Sequence, residues 1–112
     1  MPDRAATARA YYEALDGDDY ELLTEILTPE FVHHRPDRTI DGRDRFVEFM
    51  REGRPTKDTT HPLDAVFTAT GDAGDVAVRG RLLAPDGAEM ASFVDIFSFE
   101  GERIASVDTF TQ

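Results

Sequence analysis

The sequence predicts an α+β fold, in which helices pack on one face of a mostly antiparallel sheet. Apolar residues recur at helical spacing in the first half of the chain, and from His61 onward the period changes to two. The strand candidates are separated by short turn-like segments, so neighbours in sequence should pair antiparallel. Helices followed by a meandering sheet give this fold class. At 112 residues, we expect one domain spanning residues 1–112.

Three helices are predicted, and the first two follow directly on each other. The first covers residues 4–15, carries apolar side chains at helical spacing and ends at Gly17. Asp18 has the character of an N-cap for the second helix, and Glu21 completes a capping box. Pro29 ends this helix.

An extended segment separates the second helix from the third. Residues 31–35 are predicted to be extended, since the residue before Pro36 avoids the α region. The third helix covers residues 43–52, and Gly53 and Pro55 close it. Its apolar side chains are Phe46, Val47, Phe49 and Met50.

Four strands are predicted in the second half, at residues 63–70, 76–84, 89–99 and 103–110. The turns between them are residues 71–74, 85–87 and 100–102. Three short helices can cover only one face of this sheet, yet Val94 and Ile96 make the opposite face apolar as well. A second copy of the chain is the simplest cover, so we expect a homodimer packed sheet to sheet.

The charge balance excludes some partners. There are 23 acidic and 12 basic residues, a net charge of −11, which argues against binding to nucleic acid. Lys57 is the only lysine, and an acidic, lysine-poor surface is typical of proteins that work in concentrated salt. We therefore predict a halophilic source; an ordinary acidic cytosolic protein is the alternative. With no apolar run of membrane-spanning length and no apolar N-terminal segment, a cytoplasmic protein is expected.

Asp95 is the most informative residue of the chain. Strand alternation places it on one face with Phe93, Phe97 and Phe99. A lone carboxylate among phenyl rings is costly to ionise, so it must be paired, protonated or chemically active. The structural alternative is a carboxylate bonded to the backbone or neutralised by Arg79 or Arg81.

Four segments resemble a known family in their order and spacing. They are residues 10–18, 31–36, 41–43 and 94–104. Together they resemble the NTF2-like superfamily, within it the branch of SnoaL-like polyketide cyclases and ketosteroid isomerases. The resemblance spans nearly the whole chain and implies a cone in which the helices and a curved sheet enclose a pocket. This superfamily includes isomerases, cyclases, hydrolases, dehydratases and binding domains, so fold alone does not fix the function.

The resemblance also implies roles for individual residues. Tyr11 matches the position of the isomerases' oxyanion-hole tyrosine, and Asp95 that of their protonated aspartic acid. Where the isomerases carry a carboxylate base, this chain has Arg35, which cannot act as a base at neutral pH. Steroid isomerisation by that mechanism is therefore not expected.

Two adjacent histidines precede Arg35, and strand alternation sends only one of them inward. The sequence His34-Arg35-Pro36 matches a His-x-Pro pattern of the cyclase-like branch, which favours His34 as the pocket residue. The parity of Phe31, His33 and Arg35 favours His33 instead. Either histidine near an aspartate could serve as a general base.

A second carboxylate, Asp108, could meet Asp95 across the last two strands. It shares a predicted strand face with Ile104, Ser106 and Phe110. Two carboxylates in one apolar pocket would separate in pKa, one becoming an acid and the other a base. The spacing of His33, His34 and His61 does not fit a metal site, cysteine is absent, and no cofactor motif is present.

We therefore expect a cofactor-independent acid/base enzyme of the isomerase, cyclase or hydratase/dehydratase type. Its substrate would be a small, mostly apolar carbonyl compound. Asp95 and Tyr11 would stabilise an enolate or alkoxide, while a histidine or Asp108 moves the proton. The expected pocket residues are His33, Arg35, Phe46, Met50, Phe67, Phe93 and Phe97. The alternative is a non-catalytic ligand-binding or dimerisation module of the same fold.

Overall fold

The helices gather in the first half of the chain, as predicted. A computed structural model describes residues 4–53, 59–69 and 74–111. Its helices are α1 (Arg4–Asp16), α2 (Tyr20–Ile26) and α3 (Arg43–Glu48), and α3 continues as one π-helical turn at Phe49–Gly53. The third helix therefore starts where predicted but widens after Glu48. Within the described residues, no helix has the length and apolar character needed to cross a bilayer.

The strands are β1 (Leu27–His34), β2 (Thr39–Asp41), β3 (Leu63–Thr68), β4 (Val76–Leu83), β5 (Glu89–Glu100) and β6 (Arg103–Thr111). They form one sheet in the order β2-β1-β6-β5-β4-β3. Only the β1–β6 pair is parallel among these strands; the others are antiparallel. The α+β prediction is thus confirmed. The roles predicted for Pro55, Thr70 and residues 71–73 lie outside the described residues.

The N-cap of α2 lies one residue later than predicted. The carboxylate of Asp19 accepts a hydrogen bond of 3.1 Å from the backbone N–H of Leu22. Asp18 instead has a φ of 54°, a left-handed conformation that reverses the chain after α1. Because Asp18 is used for this reversal, the capping role passes to Asp19.

The core lies between the helices and one face of the sheet, which we call the inner face. From α1 it receives Ala8, Tyr11, Tyr12, Ala14 and Leu15, all buried. The inner face contributes Val76, Val78, Phe93, Phe97 and Val107, also buried. Asp95 is set into this inner face between Phe93 and Phe97, as strand alternation predicted.

A β-bulge near the start of β6 changes which side chains face inward. Phe99 pairs with Ile104 and Ser98 with Ser106, which leaves Ala105 as an extra residue. The parity of β6 therefore reverses at Ala105. After the bulge, Thr109 pairs with Asp95 and Asp108 pairs with Ile96.

Candidate functional site

Asp95 is held by two hydroxyl groups. It is only 6 % exposed. The Tyr12 hydroxyl donates to Oδ2 at 2.5 Å, and the Thr109 hydroxyl donates to Oδ1 at 2.6 Å. Burial raises the pKa of Asp95 above its ordinary value, although the hydrogen bonds from Thr109 and Tyr12 act in the opposite direction.

Neither arginine proposed as a structural partner neutralises Asp95. Arg79 is exposed. Arg81, two residues further along β4, forms an ion pair with Asp64, with Nε 3.4 Å from Oδ1. The partners of Asp95 are therefore hydroxyl groups and not either of these arginines, and its burial favours the protonated form of the carboxyl group.

Tyr12, and not Tyr11, is the tyrosine bonded to Asp95. Tyr11 is equally buried but packs against Phe46 and Phe97, with ring centroids 6.0 and 5.3 Å away. Both tyrosines belong to the buried side of α1, so the helical period did not distinguish them. Burial, with the adjacent Asp95 carboxylate, raises the pKa of Tyr12, so that its hydroxyl remains a donor.

His33 extends the hydrogen-bonded chain beyond Thr109. Its Nε2 lies 2.7 Å from Oγ1 of Thr109. Because Thr109 gives its only hydroxyl proton to Asp95, it accepts from His33, which must carry its proton on Nε2. Burial lowers the pKa of His33 to about 3, with help from the charges of Arg35 and His34, so the ring is neutral near pH 7.

The buried Nδ1 of His33 has no hydrogen-bond partner within the described residues. His33 is thus the inward histidine, as strand parity predicted. His34 lies on the opposite face of β1 with its side chain half exposed, and its Nε2 is 3.9 Å from Asp108. The position favoured by the family pattern is therefore outside the site.

The expected partnership of Asp108 with Asp95 is wrong. The bulge at Ala105 turns Asp108 to the outer face, where its side chain is 45 % exposed, and brings Thr109 opposite Asp95 instead. The sequence prediction alternated the two faces of β6 from Ile104 onward without a bulge. It therefore assigned Asp108 to the wrong face, because one inserted residue reverses every later side chain.

Three of the expected pocket phenylalanines also lie elsewhere. Phe67 pairs with Ala77 on the outer face and is 53 % exposed, since the inner positions of β3 and β4 are taken by Val66 and Val78. Phe46 and Phe97 are fully buried and belong to the core beneath the site, where they pack against Tyr11.

A cavity of about 460 Å³ opens beside Asp95. Four of the seven expected pocket residues line it, His33, Arg35, Met50 and Phe93, and so do Tyr11 and Asp95. It is also lined by residues that the sequence did not place in a pocket, among them Tyr12, Leu15, Phe49, Thr59, His61, Leu82 and Thr109. The cavity therefore combines apolar walls with a few hydroxyl, imidazole and carboxyl groups, as small-molecule sites do.

Arg35 borders the cavity as a paired cation. Its Nε lies 3.3 Å from Oδ1 of Asp37, and its guanidinium lies 5.4 Å from the centre of the Phe49 ring. The ion pair and the contact with the ring fix the position of the guanidinium. Arginine cannot act as a base at neutral pH, so Arg35 does not supply the base of this site.

His61 was considered in the sequence only as a metal ligand, and it proves to line the cavity. Its backbone N–H donates to Oδ2 of Asp16 at 3.0 Å, and its Nδ1 lies 2.5 Å from Oδ1 of the same carboxylate. Its ring lies against Tyr12, with centroids 5.7 Å apart. Forty-five residues separate His61 from Asp16, so no local sequence signal could have joined them. In the part of the chain that the structure describes, no three His, Asp or Glu side chains cluster as metal ligands would.

Comparison with known families gives one match, to the family described as the SnoaL-like domain, over residues 8–107. A search of curated protein sequences gave no match.

Several solved structures share the fold at low sequence identity. An NTF2-like protein of unknown function from Cytophaga hutchinsonii is 14 % identical, with a TM-score of 0.82 over 100 % of this chain and 92 % of that one. A proposed ketosteroid isomerase from Kribbella flavida is 21 % identical, with a TM-score of 0.81 over 98 % and 78 %. A proposed polyketide cyclase from Sinorhizobium meliloti is 17 % identical, with a TM-score of 0.78 over 98 % and 95 %. At these identities the likeness shows the fold.

Proposed function

The chain belongs to the SnoaL-like domain family within the NTF2-like superfamily, and from its site we propose that it is a cofactor-independent acid/base enzyme. The reaction would be of the isomerase, cyclase or hydratase/dehydratase type, on a small and mostly apolar carbonyl compound. One observation carries the proposal: a buried carboxyl group of raised pKa, Asp95, borders a largely apolar cavity.

The chemistry follows from the hydrogen bonds of Asp95. When protonated, the carboxyl group keeps acceptor sites for Tyr12 and Thr109 and still has its own O–H to donate. A carbonyl oxygen in the cavity would receive that proton or hydrogen bond as negative charge develops on it. Removing one preorganised donor of this kind costs on the order of 10²–10³ in kcat, or about 2.7–4 kcal/mol.

The similar structures support the reaction class, since two of them are described as a proposed isomerase and a proposed cyclase. Arg35, a paired cation, occupies the position where steroid isomerases carry their carboxylate base, which argues against steroid isomerisation by that mechanism. It also favours a second candidate, a non-catalytic ligand-binding module, in which Asp95 and Tyr12 bind a ligand oxygen without turnover.

A thermal-shift screen at high salt, with planar phenols and small enones, tests the proposal. Phenols resemble an enolate, so one of them should stabilise the wild type but neither Asp95→Asn nor Tyr12→Phe. Tyr11→Phe is the matched control and should keep the shift. Absence of any shift, with all four proteins folded, would overturn the proposal. Binding without conversion of any enone would support the non-catalytic module.

We also propose that a second copy of the chain covers the outer face of the sheet. Register places Phe67, Ala77 and Ile96 side by side in one row of that face. Phe110, 60 % exposed, lies opposite Val94 in the next row. Arg79, Arg81, Asp64 and Asp108 supply charges of both signs on the same strands. A twofold partner would bury the apolar rows and find opposite charges around them.

A further inference from the structure

The pair formed by His61 and Asp16 has geometry that the proposed function has not used. Two contacts to one carboxylate, from the backbone N–H and from Nδ1, fix both the position and the orientation of the imidazole. The ring also contacts Tyr12 and Phe93, with centroids 5.7 and 6.0 Å away. His61 is thus oriented much as a catalytic histidine is oriented by a carboxylate.

The nitrogen that remains for the cavity is Nε2. Asp16 occupies Nδ1 and is not part of the cavity wall, whereas His61 is. A carboxylate accepts hydrogen bonds, so in the neutral ring Nδ1 carries the proton and Nε2 has a free lone pair. Within the described residues, no hydrogen-bond partner occupies Nε2.

The other two of the three histidines do not offer a nitrogen to the cavity in this way. Nε2 of His33 is bonded to Thr109, and its Nδ1 is shielded from solvent. His34 lies on the outer face beside Asp108. Arg35 is a paired cation. Among the three histidines and Arg35, His61 is the residue that offers the cavity a nitrogen with an available lone pair.

We propose that His61 is the general base of the site, oriented by Asp16, and that it works across the cavity from Asp95. This inference rests on the proposed function and assigns the proton acceptor that it needs. Nε2 removes a proton from the carbon next to the substrate carbonyl, and the C–H electron pair becomes the enolate π bond. The carbonyl π pair moves to oxygen, which accepts a hydrogen bond from the protonated carboxyl group of Asp95. The imidazolium, stabilised by Asp16, returns its proton to carbon at the end of an isomerisation.

The proposal can be tested with 2-bromoacetophenone, a small apolar ketone that alkylates imidazole. Nε2 displaces bromide with its lone pair, so the alkylated residue reports which histidine faces the cavity. Tandem mass spectrometry of wild type should find the label on His61, with a rate that saturates as the probe concentration rises. His33 should remain unlabelled, and any reaction of exposed His34 should be slow and non-saturable.

Asp16→Asn is the decisive variant. It keeps an acceptor for the His61 backbone N–H but replaces the carboxylate, so labelling should slow by roughly tenfold or more. Thermal unfolding and the His34 background rate show whether the variant is folded. Non-saturable labelling of His61, or an unchanged rate in Asp16→Asn, would overturn the proposal.

The two proposals fail in different ways. If His61 labels saturably while Asp95→Asn still binds phenols, His61 remains the cavity-facing base and the role of Asp95 is wrong. If phenol binding depends on Asp95 while His61 does not label, the proposed function remains and this inference is wrong.

Discussion

Tyr12 donates a hydrogen bond of 2.5 Å to Asp95 across 83 residues of sequence, joining the middle of α1 to the middle of β5. The bond stabilises the packing of helix on sheet and contributes to the chemistry of the cavity, since it gives one oxygen of a buried carboxyl group a donor while Thr109 serves the other. Four side chains form a continuous chain of hydrogen bonds through the site, in the order Tyr12, Asp95, Thr109 and His33.

Replacement of Tyr12 by Phe should destabilise the protein by about 1–3 kcal/mol, because a buried carboxyl group loses a donor. The pKa of Asp95 should rise further, since the Tyr12 hydrogen bond lowers it. Urea unfolding and ¹³C NMR titration of the Asp95 carboxyl measure the two effects. Tyr11→Phe is the control; a larger rise in the Asp95 pKa in that variant would contradict the assignment.

Thr109→Val should remove both hydrogen bonds that the hydroxyl makes, at similar cost in stability, because the Nε2–H of His33 loses its acceptor and Asp95 keeps only the donor from Tyr12. In ¹⁵N NMR spectra, wild-type His33 should show a protonated Nε2 and an unprotonated Nδ1. The valine variant should lose this preference. Thr109→Ser keeps the hydroxyl and should restore it; a His33 protonated on Nδ1 in the wild type would refute the deduced tautomer.

The buried carboxyl of Asp95 should make stability fall as pH rises. Its pKa is 3.8 when unfolded and higher when folded, so the folded state binds the proton more tightly. The stabilising contribution is complete below pH 3.8 and is lost as the pH rises through the folded pKa. The trend should appear in the difference in unfolding free energy between wild type and Asp95→Asn. We would measure this difference from about pH 3 to about pH 9, a range that spans the ordinary carboxyl and imidazole pKa values. If the stability of wild type relative to Asp95→Asn instead increased with pH, the raised pKa of Asp95 would be contradicted.

His33 should act in the opposite direction. Its pKa falls from 6.5 to about 3 on folding, so the unfolded chain binds the proton more tightly. Stability is lost as the pH drops from 6.5 towards 3, with a slope of up to about 1.4 kcal/mol per pH unit. His33→Gln keeps an N–H for Thr109 and should have a shallower acid limb in urea unfolding. The matched variant His34→Gln should keep the wild-type slope, and equal slopes in all three proteins would contradict burial of His33.

The outer sheet face should govern association. Light scattering coupled to size-exclusion chromatography should give twice the chain mass for wild type and a smaller mass for Phe110→Lys. Phe110 is exposed enough, at 60 %, for the change to leave the fold intact. Met90→Lys places the same charge at a similarly exposed residue beside the cavity and should leave the dimer unchanged. A monomeric wild type would end the proposal.

Much of the architecture was readable because it depends on local periodicity. The change from helical spacing to alternation predicted the α+β class, and alternation alone placed Asp95 between Phe93 and Phe97 on a buried face. Parity likewise favoured His33 over His34. The halophilic source that the composition indicates stays a prediction.

The composition of the site depends on contacts that are distant in sequence, and only the tertiary structure decided them. Tyr11 and Tyr12 share the apolar stripe of α1, so the rotation of the helix against β5 chose between them. The bulge at Ala105 exchanged Asp108 for Thr109, because one extra residue inverts the faces of a strand. Asp16 and His61 meet only through the packing of the chain. Periodicity is set by neighbouring residues, whereas register and packing are set by the whole fold, and the sequence pattern carries the first but not the second.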